Sequence, residues 1–475
     1  MSTFYIEQFG CRATQADGAA IERQLRDRGL SLAADAASAD VVVLNTCTVT
    51  ASADTQARDA IRKLHASNPS TRIIVTGCYA QRAPEELAAL PGVSYVVGNS
   101  HKPQIPSLLH SIVPSPDFVG AELVYPDGGG APPSSRSVQE NLSVLPAPIL
   151  SGDVSALSDV LVAPVLGGEG NHTRPTLKIQ DGCNSRCSFC VIPFVRGKSR
   201  SLPPQTVLSE LQRLASSGFR EIVLSGINLG TYGRDLSPRV EFLDLLHRIL
   251  DETSVERLRI SSIEPLDVTQ DLIELFAANP RIAPHFHMPL QSASDRILAA
   301  MHRWYRAEHY ARRLELIHEH LPHAAIGADV ITGFPGETDS DHALTLDFIE
   351  SCPFTYLHVF SYSQRPGTRA AALPHQLPGH IIKRRARELR ALAARKSAQF
   401  RQSQIGRTLR VLTLRRDSAD DPNFTPALSE NYLTVRLSAT LPPNHFLDAT
   451  VTHAEDNQLF ATSADFPALA FTGVA

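Results

Sequence analysis

The chain has no apolar run near the roughly 18 residues a membrane-crossing helix needs. Its first residues, Met1-Ser-Thr-Phe-Tyr-Ile-Glu-Gln, lack the basic and apolar regions of a secretory signal. Tryptophan occurs once and methionine three times in 475 residues. Neither charge sign dominates, with 45 Lys and Arg against 49 Asp and Glu, so overall charge selects no class of partner. No His-x3-His pair with carboxylate support suggests a zinc hydrolase. The seven cysteines do not make an even set, which argues against a disulfide framework and for thiolates that bind metal or react. These absences lead to the expectation of a cytoplasmic protein with no membrane partner.

What is present points to several folded domains. Hydrophobic residues make up 43% of the chain and charged ones 20%, enough for sizeable cores. The length alone suggests about three domains. Strand-like runs at 3–9, 40–44 and 71–76 alternate with helix-like stretches, which predicts a parallel α/β domain over 1–112. Residues 101–170 hold ten of the 33 prolines, and 113–170 reads as a Pro/Gly/Ser-rich linker or insertion. From 171 to 400 six strand candidates recur, at 177–180, 221–224, 258–261, 285–288, 327–331 and 356–360. They predict a partial (βα)6 barrel whose site lies at the C-terminal strand ends. The tail, 401–475, carries short β-type runs and predicts a small antiparallel barrel of OB type.

Cys183, Cys187 and Cys190 fall on one short loop after the first barrel strand. A structural zinc site would need a fourth Cys or His nearby, and none follows before His247, more than 50 residues on. Three thiolates suit a [4Fe–4S] cluster whose fourth iron stays open to a small molecule. Cys11, Cys47 and Cys78 each follow one of the three amino-terminal strands. In a parallel sheet the C-terminal strand ends share one edge, so these three predict a second cluster with its own open iron.

The Cys-x3-Cys-x2-Cys spacing resembles the radical S-adenosylmethionine (SAM) superfamily. There the open iron chelates SAM, and an electron cleaves it to a 5′-deoxyadenosyl radical. The two trios together resemble the methylthiotransferases, which replace C–H by C–S–CH3. Matching stretches are 9–15, 45–49, 76–81, 178–183, 192–197, 289–292, 329–337 and 360–368. Gly10-Cys-Arg with Gln15, Ile179–Asn184 and Ser429–Leu433 are most similar to the branch acting on N6-threonylcarbamoyladenosine, with Thr14 a departure from it. The resemblance implies two [4Fe–4S] clusters, SAM, tRNA with adenosine 37 beside the anticodon as substrate, and an electron donor such as flavodoxin or ferredoxin. One open iron would take SAM and the other would carry sulfur. It also implies a radical SAM barrel followed by a TRAM-type RNA-binding domain. Rival readings are a methylthiotransferase for N6-isopentenyladenosine or for a ribosomal-protein aspartate, and a non-catalytic iron–sulfur or zinc-stabilised RNA-binding protein.

Remaining residues carry weaker signals. Gly226 and Asn228 end the second barrel strand; the resemblance implies contact with the SAM amino group, and a tight strand-to-helix turn is the alternative. Glu264, Gln291 and Asp329 end or follow strands three to five at the mouth, as ligands of the cofactor or caps of the next helix. Arg196 is expected to meet SAM's carboxylate or RNA, or to sit solvated. Between 383 and 416, twelve Lys and Arg face one acidic residue, Glu388. Lys383, Arg384, Arg385 and Arg387 are therefore expected to hold RNA phosphates, with a solvated helix face as the alternative.

Overall fold

The structure is a computed structural model, and it describes residues 2–112, 146–165, 173–417 and 420–463. Two compact units divide the chain, Met1–Ala163 with Val191–Lys198, and Pro164–Cys190 with Ser199–Ala475.

The first unit is a six-stranded parallel sheet, with β1 (Thr3–Gln8), β2 (Ser31–Leu32), β3 (Val41–Thr46), β4 (Arg72–Gly77), β5 (Val93–Val97) and β6 (Ile149–Leu150) in the order β2-β1-β3-β4-β5-β6. β3 is buried at every position, as its unbroken Val-Val-Val-Leu run requires of a strand covered on both faces. The helix Ala51–Ser67 starts where the Thr50 hydroxyl accepts from the Ala53 N–H (3.2 Å). It packs Ala57, Ile61 and Leu64 against the sheet, a spacing of four and three. On the opposite face, Ile21 and Leu25 of the helix Arg12–Arg26 pack with Phe4 and Val41.

In the second unit β7 (Pro164–Val165) runs antiparallel to β8 (Thr176–Lys178), and a short hairpin joins β9 (Gln180–Asp181) to β10 (Arg200–Ser201). β8, β11 (Glu221–Ser225) and β12 (Arg257–Ile260) pair in parallel, as do β13 (His285–His287), β14 (Ala325–Thr332) and β15 (Tyr356–Ser361). Parallel bridges Leu258–Ile282 and Ser262–His287 connect the two sets into a six-stranded barrel arc. All six expected strands are present. A helix, Gly379–Gln402, leads to a closed barrel of β16 (Thr408–Thr413), β17 (Thr425–Ser429), β18 (Thr434–Leu437), β19 (Phe446–Glu455) and β20 (Gln458–Thr462). The fold class is as expected, and β17 is a strand the sequence reading missed.

The linker reading of 113–170 needs correction in part. Residues 113–145 and 166–170 lie outside the described residues. Within 146–165, however, Ile149–Leu150 extends the first sheet and Pro164–Val165 extends the barrel sheet. Two-residue strands leave no periodic pattern to read. The motif Ser429–Leu433, one of those similar to the threonylcarbamoyladenosine branch, has a packing role. Tyr432 adopts φ +68°, stacks on His285 at the start of β13 (4.3 Å), and sits under the Arg259 guanidinium (5.3 Å). Arg259 also donates to the carbonyls of Ser429 (3.1 Å) and Glu430 (3.0 Å).

Candidate metal centres

β1, β3 and β4 are neighbours in the sheet, and a cysteine follows each. Cys11 caps the helix Arg12–Arg26, Cys47 directly follows β3, and Cys78 opens the helix Cys78–Arg82. The turns depend on glycine: Gly10 (φ +100°) and Gly77 (φ +99°) both occupy the left-handed region. A Cβ on Gly10 would lie 2.8 Å from Cys47 Sγ, so the backbone entering Cys11 touches the Cys47 side chain. Cys11 is exposed, while Cys47 and Cys78 are buried. Burial, then the neighbouring Cys11 and Cys78, push the Cys47 thiol up to about 12. Cys47, a thiol that burial and two neighbouring cysteines keep protonated, is one whose ionisation a cationic iron centre would favour, so these residues fit a cluster.

Behind this trio lies a group of buried charges absent from the sequence reading. Asp17 Oδ2 accepts from Lys102 Nζ (2.8 Å) and from Arg196 (2.9 Å), and all three side chains are at most 3% exposed. Arg196 also reaches Thr14 Oγ1 (3.5 Å), which lies 3.6 Å from Cys11 Sγ. Asn99 donates to Cys78 Sγ (3.6 Å) and to the Val195 carbonyl (2.7 Å). Arg196 is thus neither solvated nor a surface RNA contact, because Asp17, far away in sequence, buries it. Its segment, Val191–Lys198, follows Cys190 in sequence and packs Val191 and Val195 on Cys78.

The central trio is partly exposed, on a loop fixed at both ends. Gln180 Nε2 donates to the Gly182 carbonyl (2.8 Å), and Asn184 Oδ1 accepts the Ser199 N–H (3.0 Å). In the middle, the Ser188 N–H donates to the Met301 carbonyl (3.0 Å). Arg303, also missed from sequence, donates to Cys187 Sγ (3.3 Å) and pairs with Glu264 (3.2 Å and a closer contact). Burial pushes the Cys187 thiol up, and the guanidinium opposes that shift. No spacing rule links Arg303 to Cys187, 116 residues away.

At the barrel mouth the candidate residues separate. Asn228 is buried and donates its backbone N–H to Gln180 Oε1 (2.8 Å), and a Cβ on Gly226 would meet the same oxygen at 3.0 Å. Gln291 is buried with φ +62°, its N–H bonded to the Asp329 carbonyl (2.8 Å). Asn228 Oδ1 and Gln291 Oε1 have no partner among the described residues. They are two buried acceptors that the amino group or ribose of a SAM molecule would satisfy, so the residues fit that ligand. Glu264 is engaged by Arg303. Burial alone would raise Asp329, but hydrogen bonds from His287 (3.1 Å) and His358 (3.2 Å) hold it well below the usual carboxylate range. The Tyr356 hydroxyl joins His287 Nδ1 (3.0 Å) to His285 Nε2 (2.7 Å), so these histidines belong to one barrel network.

The basic helix is less basic in space than in sequence. Lys383 and Arg387 are exposed. Arg384 is half-exposed but pairs with Asp339 (2.8 Å). Arg385 is a correction: it is buried, bonded to Glu337 (2.6 Å) and Asp339 (2.9 Å), and offers nothing to a phosphate. Further along, Arg395 pairs with Glu350.

Comparison with known proteins agrees with this geometry. Residues 3–98 match the family described as Uncharacterized protein family UPF0004, and residues 177–349 match the Radical SAM superfamily. The chain is 35% identical to the threonylcarbamoyladenosine tRNA methylthiotransferase MtaB of Aquifex aeolicus, over 90% of this chain and 97% of that one. It is 34% identical to the Bacillus subtilis protein of the same name, over 93% and 91%. It is also 35% identical to the tRNA-2-methylthio-N(6)-dimethylallyladenosine synthase of Syntrophobacter fumaroxidans, over 90% and 88%. In fold it is similar to the radical SAM methyltransferase TsrM of Kitasatospora setae (TM-score 0.54, 15% identity, 78% of this chain and 75% of that one). Among the described residues no helix is long and apolar enough to cross a membrane. With two cysteine trios on these two matched regions and relatives spanning nearly its whole length, the chain belongs to the radical SAM methylthiotransferase family.

Proposed function

We propose that the chain converts C2–H of N6-threonylcarbamoyladenosine 37 in tRNA to C2–S–CH3. One observation carries the reading: two separate cysteine trios occur in a chain 35% identical, over 90% of its length, to a protein named for that activity. Cys183, Cys187 and Cys190 hold one cluster beside SAM, and Cys11, Cys47 and Cys78 hold the other. When bound, the first group would supply the electron that splits one SAM to a 5′-deoxyadenosyl radical, which takes the C2 hydrogen, and the second would carry the sulfur, its methyl group coming from a second SAM. The protein's own part is positional. Arg303 fixes Cys187 and counters its charge, while Gly226, Asn228, Gln291 and Asp329 border SAM at the mouth, with Glu264 holding Arg303 in place. Exposed Lys383, Arg384 and Arg387 hold tRNA phosphates. The domain limits are 1–112, 171–400 and 401–475, the last a TRAM-type domain. A flavodoxin or ferredoxin in the cytoplasm donates the electron.

The equal identity to a dimethylallyladenosine synthase supports a second reading, with isopentenyladenosine as substrate. Mass spectrometry of nucleosides from a deletion strain separates the two. Loss of 2-methylthio-N6-threonylcarbamoyladenosine, restored by the gene, is the expected result; loss of the isopentenyl product alone refutes the proposal.

A further inference from the structure

The only tryptophan of the chain, Trp304, is 81% exposed. That exposure is not a property of a loose loop. Its neighbours on both sides are buried and pinned: Arg303 is bonded to Cys187 and Glu264, and the Tyr305 hydroxyl donates to the carbonyls of Pro289 (2.6 Å) and Leu290 (2.8 Å). Burial alternates from Met301 to Tyr305, so the exposed His302 and Trp304 share one side of a rigid segment. A large indole held out in water on a fixed base, with no rotamer freedom of its neighbours to lose, is a preorganised stacking platform.

The platform borders a cavity of about 530 Å³. That size lies in the range of small-ligand sites and admits one nucleotide. Asn184, Ser185 and Arg186 of the cysteine loop form one wall, and Arg234, His302 and Trp304 contribute others. None of Gly226, Asn228, Glu264, Gln291 or Asp329 is among the described lining residues, so this is not the SAM site proposed above. The charge at the rim is positive. Arg186 is exposed, and no carboxylate among the described residues pairs with it. Arg234 is half-exposed with one ion pair, to Asp267 (2.8 Å), and the Arg369 guanidinium sits 3.1 Å from His302 Nε2. The lining carboxylate, Asp235, is already satisfied by the Ser201 N–H (2.9 Å) and hydroxyl (2.6 Å).

An aromatic face beside a guanidinium with no carboxylate partner among the described residues, that of Arg186, is the chemistry that holds single-stranded nucleic acid, the ring taking the base and the cation the phosphate. We propose that this cavity binds a nucleotide of the RNA substrate other than the one modified, its base stacked on Trp304 and its phosphate at Arg186. The inference rests on the RNA-modifying function proposed above, and deepens it by naming a second contact on the cysteine loop itself.

Because Trp304 is the sole indole, the intact, cluster-loaded protein reports the contact through its own fluorescence. It is titrated anaerobically with an anticodon stem–loop RNA carrying a fluorescent label, so that label anisotropy measures binding separately from tryptophan emission. The expected result is emission quenched in step with anisotropy, RNA affinity about tenfold weaker in Trp304→Ala and largely restored in Trp304→Phe. Arg186→Gln should lower the slope of log affinity against log salt by about one. RNA binding with unchanged emission and unchanged affinity of Trp304→Ala overturns this inference while leaving the RNA-modifying function standing. No RNA binding at all overturns both. Quenching by a flavodoxin and not by RNA assigns the surface to an electron donor and also overturns it.

Discussion

Cys183, Cys187 and Cys190 lie within eight residues of one loop, whereas Cys11, Cys47 and Cys78 come from three strand ends spread over 68 residues. The loop trio is partly exposed, and one guanidinium, Arg303, faces it. The sheet trio has two buried members, and behind it a carboxylate binds two buried cations. The loop trio stays open to a diffusible cofactor, and local chain geometry alone brings its sulfurs near each other. The sheet trio depends on the register of β1, β3 and β4, so its ligand set exists only when the whole domain has folded. One centre suits repeated exchange of a small molecule, the other a group held in a fixed setting with two of its three thiols buried.

The strongest way to break this comparison is to remove one ligand from each centre. Cys187→Ala should reduce 5′-deoxyadenosine formation to background, as read by chromatography. Cys47→Ala should keep that product and lose only the methylthiolated nucleoside. Should Cys47→Ala silence both, the division of labour is wrong.

Next in size is thiol reactivity in the iron-free protein. Only the thiolate is alkylated, and Cys47 stays protonated up to about pH 12. Its alkylation rate should climb about tenfold per pH unit through the alkaline range. Peptide mapping at pH 8 should find Cys11 labelled and Cys47 unlabelled; equal labelling would contradict the packed trio.

Stability offers a finer probe. Asp17→Asn leaves Lys102 and Arg196 without their shared carboxylate and should cost about 3–5 kcal/mol in the first unit. Hydrogen exchange should locate that loss in residues 2–112. In the second unit the comparable charge group sits away from the cysteines, at the start of β11. Burial alone would raise Glu221, but Arg259, then Arg174 and Arg257, hold it at about 2. A depressed carboxyl contributes stability that is complete above its unfolded value, near 4.5, and lost as pH falls through about 2. The loss over that window should be about 3 kcal/mol, read by chemical unfolding, and Glu221→Gln should remove that share of the pH dependence while the part due to other depressed carboxylates such as Asp329 remains.

How much of this was legible in the sequence follows the range of each interaction. The barrel strands and the cysteine loop were readable because period-two runs and the x3, x2 spacing are local. The sheet trio was also readable, since a cysteine after each of three parallel strands must reach one edge. The basic run was misread at Arg385, because its partners Glu337 and Asp339 lie more than 40 residues upstream. Arg303 gave no signal for the same reason. Ser429–Leu433 was visible as a motif, but its packing against His285 and Arg259 was not.

The alternation of strands and helices, the spacing of the cysteines and the kinship to methylthiotransferases were determined by sequence alone, because short-range periodicity and spacing survive without coordinates. Only the tertiary structure decided which charges are buried and which remain for solvent or RNA. An ion pair depends on distance in space, and in this chain the carboxylate that claims Arg196 lies 179 residues from it.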